Sequence, residues 1–237
     1  MDEILALPDG ALARAALSLA QRTESSLVAD HSIRSFFFAR LLASQDGRVG
    51  DAAYDENLLF AACIMHDLGL GTSAPGKERF EVEGADLAAG LLQQHGVATA
   101  DIDRVWEAIA LHSSIGIADR RGLLTYLTHN GVFTDAGLFT GLQEDLRQQV
   151  FAAYPQPAGD SSVRDAIVAH AKRSKAAAPP YSIAAELLRQ ELTRLADTPT
   201  HRTLPTCPVR ADSEVRFRRI AAGKRPEGRS LGRDGSG

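Results

Sequence analysis

The chain has 237 residues, 44% of them apolar and 24% charged, which is the usage of a globular protein large enough to bury a substantial core and not of a disordered or fibrous one. A net charge of -4 at pH 7 gives no reason to expect nucleic acid as the main partner. Its two cysteines, Cys63 and Cys207, stand far apart without CxxC spacing, which argues against a disulfide framework and a thiolate zinc site.

The opening MDEILALPDGALARAALSLA has neither the basic start nor the sustained apolar run of a signal peptide, and no later run reaches bilayer-spanning length. The expected setting is therefore cytoplasmic, with no membrane partner. Apolar residues recur at three- and four-residue spacing in Ile4, Leu5, Leu12, Ala15, Leu17 and Leu19, which predicts a first helix. Leu27, Ile33, Phe36, Phe37, Leu41 and Leu42 predict a second, with Asp30 as a capping residue just before His31. A polar connection, DGRVGDAAYDEN, leads into a third over Asp55–Leu68, which Gly69 is placed to end in the left-handed conformation. Further helices are predicted over Gly84–Gln94, ended by Gly96, and over Asp101–Leu111, capped by Asp101. Others start near Leu123 and run over Gln143–Tyr154, Ser162–Ala177 and Ser182–Ala196. No alternating β-branched run with a turn and a partner is present, so the fold class is all-α. From His201 on, nine Lys/Arg face four Asp/Glu in a Gly/Arg-rich stretch without apolar period, giving +5 against -9 for the first 200 residues. Residues 199–237 are accordingly expected to be a disordered basic tail, and residues 1–198 one helical-bundle domain.

The stretch CIMHDLG, residues 63 to 69, drives an apolar helix directly into His66 and Asp67. A buried carboxylate is rare unless it is paired or bound to a cation, so either something compensates Asp67 or His66 and Asp67 form a plain pair in water at the helix C-terminus. Imidazole and carboxylate together suit Zn²⁺, Fe or Mn²⁺. His31 lies one helix upstream, and if the two helices pack antiparallel it comes level with His66 and Asp67, a cluster of three donors from two helices.

These elements carry a resemblance. His31 and then His66-Asp67 one helical hairpin later, with HSIRSFFFARLLA, LLFAACIMHDLGLG, RFEVEGADLAAGLL and AIALHSSIGIAD, resemble the HD superfamily of metal-dependent hydrolases and within it the cyanamide hydratase-like proteins, over roughly residues 25 to 190. The resemblance implies an HD-domain helical bundle with one Zn²⁺ per chain, held by His31, His66, Asp67 and a downstream aspartate. In LLTYLTHNGVFTDAGLF the only acid is Asp135, two residues before Gly137, whereas alignment on the apolar residues brings Asn130 or Gly131 to the family's aspartate position. The implied reaction adds hydroxide, generated at neutral pH from a zinc-acidified water, to the nitrile carbon of cyanamide, yielding urea, with Asp67 or His112 relaying the proton.

Other residues carry two readings each. His112, at the end of a helix before Ser113 and Ser114, is a proton-transfer or substrate-binding group or a capped surface histidine. Glu81 in RFEVEG either orients a ligand or water or sits on a solvated helix start, and Glu83 is expected to be an ordinary N-terminal acid. Phe80, with Phe36, Phe37 and Phe38, lines a pocket or packs the core, and Cys63 is expected to pack as a small hydrophobe. His95 fits a helix C-terminus; with His112, and less readily His129, it would supply the extra ligands of a binuclear Fe or Mn phosphohydrolase. That rival enzyme would need either two such metals or converging cations, for which Arg34 and Lys77 are candidates. A third alternative is a catalytically silent HD module that binds a ligand or partner. The expected partner of the enzyme readings is a small molecule, and homo-oligomerisation is compatible with all of them.

Overall fold

The computed structural model describes residues 5–139, 141–156 and 162–197; the expected tail, residues 199–237, and Cys207 lie outside them. The described residues are helical and contain no strand. The helices are α1 (Ala11–Thr23), α2 (Ser26–Gln45), α3 (Glu56–Met65), α4 (Phe80–Gln94), α5 (Thr99–Leu111), α6 (Leu123–Asp135), α7 (Glu144–Ala153), α8 (Ser162–Ala171) and α9 (Ile183–Asp197). None among the described residues is long and apolar enough to cross a membrane.

Local chemistry sets the helix ends. Ser25, not Asp30, caps α2 by accepting from the Val28 amide, and Asp30 lies inside the helix. Asp55 caps α3, accepting from the amides of Asn57 and Leu58 at 2.9 and 3.0 Å. The expected cap at Asp101 is displaced: α5 begins at Thr99 after Ala98, and Asp101 occupies the first turn, where an acid still suits the helix dipole. Gly96 ends α4 at φ +70°, as its position predicted.

Gly69 does something other than cap. Helix α3 stops at Met65, and Gly69 falls within a short 3-10 turn, Leu68–Leu70, pressed against the start of α4. A Cβ there would overlap the Phe80 carbonyl, so glycine is required by close approach and not by backbone angle.

Helix α2 packs on both α3 and α6, α5 packs on α3, α4 and α6, and α8 pairs with α9. Phe36, Phe37, Phe38 and Phe60 are fully buried in the main core with the apolar face of α3. Gly131 lets α6 approach α2 closely, since a Cβ would overlap the Ser35 carbonyl. A second apolar cluster joins Phe80 at the start of α4 to Ile167 and Ala171 of α8 and Ala184 of α9. The two clusters bracket the end of α3, where His66 and Asp67 emerge.

Candidate metal centre

The antiparallel α2–α3 hairpin sets His31, early in α2, against His66 and Asp67, just past the end of α3. The three form a buried cluster whose ligating atoms lie within 4.8 Å of one another. Each imidazole is oriented from behind. His66 Nδ1 donates to the Cys63 carbonyl at 2.7 Å, one helical turn back. His31 Nδ1 lies 2.5 Å from Asp135 Oδ2, a carboxylate oxygen that can only accept when ionised. His112, at the end of α5, donates from Nδ1 to the Ile109 carbonyl at 2.7 Å. A proton fixed on Nδ1 leaves the Nε2 lone pair free, so three such lone pairs are held around Asp67, two near Oδ2 and one near Oδ1.

Two of these nitrogens, His31 Nε2 and His66 Nε2, are 3.2 Å apart. Facing lone pairs at that distance repel unless a cation, a proton or a metal ion, lies between them. Two nitrogen ligands each about 2.0–2.1 Å from a tetrahedral metal are themselves about 3.3 Å apart. Asp67 Oδ2 lies 3.3 Å from His66 Nε2 and 3.9 Å from His31 Nε2, and it is buried without a hydrogen-bond partner. An ionised oxygen in that state calls for a cation, and the donor set therefore fits a divalent metal.

The electrostatics agree. Burial, the largest influence on Asp67, would raise its pKa, but His66, His31 and His112 together hold it below the usual carboxylate range. Burial, the largest influence on His66, acts to lower its pKa, yet the Asp67 carboxylate, the Cys63 carbonyl and Asp135 together outweigh it and the net direction is up. His112 is pushed down to about 4, by burial first and His66 second, and is neutral at pH 7. Its Nε2 lies 3.9 Å from Asp67 Oδ1.

Asp135 reaches the cavity wall, but its oxygens are engaged. Arg34 Nε donates to Oδ1 at 2.6 Å and Arg34 Nη2 to Oδ2 at 2.9 Å, in addition to the His31 contact. Burial would raise the Asp135 pKa, and hydrogen bonds from His31 and Arg34 hold it down. Asp135 thus meets the cluster through the back of His31, and Asn130, the alternative from the apolar alignment, turns its amide to the Tyr126 carbonyl at 2.9 Å. Arg34 is committed to Asp135, and Lys77 is exposed and does not line the cavity.

The FEVEG stretch places two buried acids with different tasks. Glu81 takes Arg79 at 2.7 Å and the Ser113 hydroxyl at 2.5 Å on the same Oε1, beside His112. Burial would raise its pKa, but Arg79, His112 and Ser113 outweigh it and keep Glu81 ionised. Glu83 is not a solvated acid: it is buried and accepts from the amides of Gly76, Lys77 and Glu78 at 2.8, 2.6 and 2.9 Å. It pins the loop that carries Arg79 and Phe80. Phe80 meets the His112 ring edge-on at 5.6 Å and lines the cavity, whereas Phe36, Phe37 and Phe38 belong to the core.

Of the remaining histidines, His95 is exposed at the end of α4, outside the cavity. His129 is buried and donates from Nδ1 to the His112 carbonyl at 2.7 Å, supporting His112 from below. Burial pushes the Cys63 thiol up to about 12, so it packs as a neutral group. One acid carried no sequence signal. Glu24, just after α1, has both carboxyl oxygens buried without hydrogen-bond partners. Burial, and then the nearby Asp67 charge, raise its pKa to about 9, so it is protonated at neutral pH. Its only sequence cue is an acid between two helices, which ordinarily marks a solvated turn.

The chain matches the HD domain family over residues 28–198. No curated protein matches it. The match spans the α2–α3 hairpin, the histidine–aspartate step at its end and the helices that back each donor, and on that ground the chain belongs to the HD-domain family, whose chemistry is that of metal-dependent hydrolases.

Proposed function

We propose that the protein is a mononuclear zinc enzyme that adds water to a small, neutral nitrile-type substrate, as in the hydration of cyanamide to urea. The observation that carries this reading is the orphaned Asp67 oxygen facing two Nε2 atoms inside a cavity whose other walls are largely apolar. His31, His66 and Asp67 would hold the metal, which when bound supplies a Lewis acid and acidifies a water toward neutral pH. His112, neutral and fixed through Nδ1, offers Nε2 to take the water's proton and deliver it to the nitrile nitrogen. Asp67 and Glu81 both favour the transient imidazolium, opposing the burial that lowers its pKa. Phe80 closes one wall beside His112 and excludes bulk water from the transfer.

A phosphohydrolase reading needs two metals or converging cations. Among the described residues lining the cavity Arg164 is the sole Arg or Lys, and it donates to Gln190 at 3.1 Å. The test is metal content and turnover of the full chain purified without a metal-binding tag. About one zinc per chain and urea release from cyanamide support the reading; two ions per chain with phosphate-ester hydrolysis and no urea would overturn it.

A further inference from the structure

The cavity beside the donors is larger than cyanamide requires. It holds about 250 Å³. A dry cavity of about 150 Å³ accommodates benzene with its six carbons, so this one has room for about ten non-hydrogen atoms, against three in cyanamide. The polar groups gather around Asp67, and the remaining wall is built from Phe80, Val132, Phe133, Ile167, Ile183 and Leu187, contributed by four different helices. Cyanamide alone would leave most of that apolar wall against water, which is unfavourable in proportion to the area left wet. Charge narrows the class further. Asp135 at the wall is taken by Arg34, Glu81 behind Ser113 is taken by Arg79, and Arg164 donates to Gln190, so each of these charged side chains already has a partner. A charged substrate group, of either sign, would lose its water against the apolar walls without a free partner there.

We infer that the substrate is a neutral organic nitrile carrying an apolar aryl or branched alkyl group of about six to eight carbons, and that the product is its primary amide. This rests on the hydration reading above. The nitrile points to the donors, and the substituent lies against Ile167, Ile183 and Leu187. Water adds across the triple bond: a carbon–oxygen bond forms, one carbon–nitrogen π bond breaks, and the water's protons reach nitrogen, one through His112 Nε2 and one on tautomerisation. The balance is R–C≡N plus H₂O giving R–C(=O)NH₂, with no oxidant or reductant.

The experiment compares phenylacetonitrile with cyanamide on the zinc-loaded full chain, with amide and urea measured by chromatography. It adds calorimetric binding of phenylacetamide to the chain with and without zinc. Leu187→Trp and Val163→Phe, both at half-buried positions, fill the cavity from its α9 and α8 sides and serve as independent variants. Expected is a kcat/KM for phenylacetonitrile on the order of 10- to 100-fold above that for cyanamide. In each variant that ratio falls at least about tenfold, and phenylacetamide binding weakens by a similar factor. Cyanamide turned over faster than phenylacetonitrile, or a ratio unmoved in both folded variants, would overturn the substrate class and leave the hydration reading intact. No turnover of either nitrile together with hydrolysis of p-nitrophenyl phosphate would instead overturn the hydration reading. Absence of phenylacetamide binding in the wild type would overturn the apolar subsite itself.

Discussion

Asp135→Asn isolates the role of the carboxylate behind His31. In the native arrangement Asp135 is an acceptor on every side, taking His31 Nδ1 and Arg34 Nη2 on Oδ2 and Arg34 Nε on Oδ1. Asparagine cannot reproduce this. If its NH₂ turns to His31, two donors face each other unless the ring moves its proton to Nε2, the atom that should face the metal. If its NH₂ turns to Arg34, the conflict moves to the guanidinium. Either way Arg34, 3% exposed, loses its countercharge. Breaking a buried pair by removing one partner costs about 3–5 kcal/mol. For a domain of this size that is a fall in Tm of roughly 6–20 °C, measured on metal-free protein by calorimetry. Zinc affinity, measured by chelator competition, should drop about 10- to 100-fold, the effect of losing a group that orients a ligand. Unchanged zinc affinity would refute the orientation argument. A loss as complete as that of His66→Ala would show that Asp135 swings in to coordinate the metal directly.

Three further perturbations probe other parts of the site. His66→Ala should abolish stoichiometric metal binding while leaving far-UV helical content intact, because His66 lies past the last residue of α3; normal metal content in the variant would sink the assignment. Gly131→Ala should destabilise the fold by about 2–3 kcal/mol in denaturant unfolding, since its Cβ meets the backbone of α2 and not a movable side chain; a neutral result would mean that α2 and α6 can separate without penalty. Glu24→Gln tests the buried acid through pH. A carboxyl whose folded pKa is raised from 4.5 to about 9 binds more protons folded than unfolded, so its stabilisation is full below pH 4.5 and is lost as pH rises toward 9. The variant should therefore remove part of the alkaline decline, gaining about 1–3 kcal/mol at pH 9 relative to the native chain and little at pH 5. Parallel stability–pH curves for the two proteins would contradict it.

What the sequence made legible and what it hid divide along the same physical line. The α2–α3 hairpin was readable because helical period marks which face is buried, and an antiparallel pairing then forces His31 level with His66 and Asp67. Period does not mark where a helix ends, which is why Asp101 and Gly69 were misplaced as caps: Asp101 sits in the first turn of α5, and Gly69 answers to the Phe80 backbone, eleven residues away in sequence. The same limit applies to the donors. A histidine in a sequence is not yet a ligand, because either ring nitrogen can carry the proton. What makes His31, His66 and His112 point usable lone pairs at one place is a set of acceptors behind them. Two of these, the Cys63 and Ile109 carbonyls, are backbone atoms that carry no residue signature, and the third, Asp135, is 104 residues from its partner. Glu83 does lie in the first turn of α4, as an N-terminal acid should, but its task was hidden for a related reason, since its partners are three loop amides that any sequence would supply. The identity of the site is thus written in a few side chains, and its competence in the backbone and long-range contacts that fix their tautomers. It follows that changes which preserve every histidine and aspartate of the cluster, but move a carbonyl or a remote carboxylate behind them, should still weaken metal binding, by about 10- to 100-fold where the loss of a donor abolishes it.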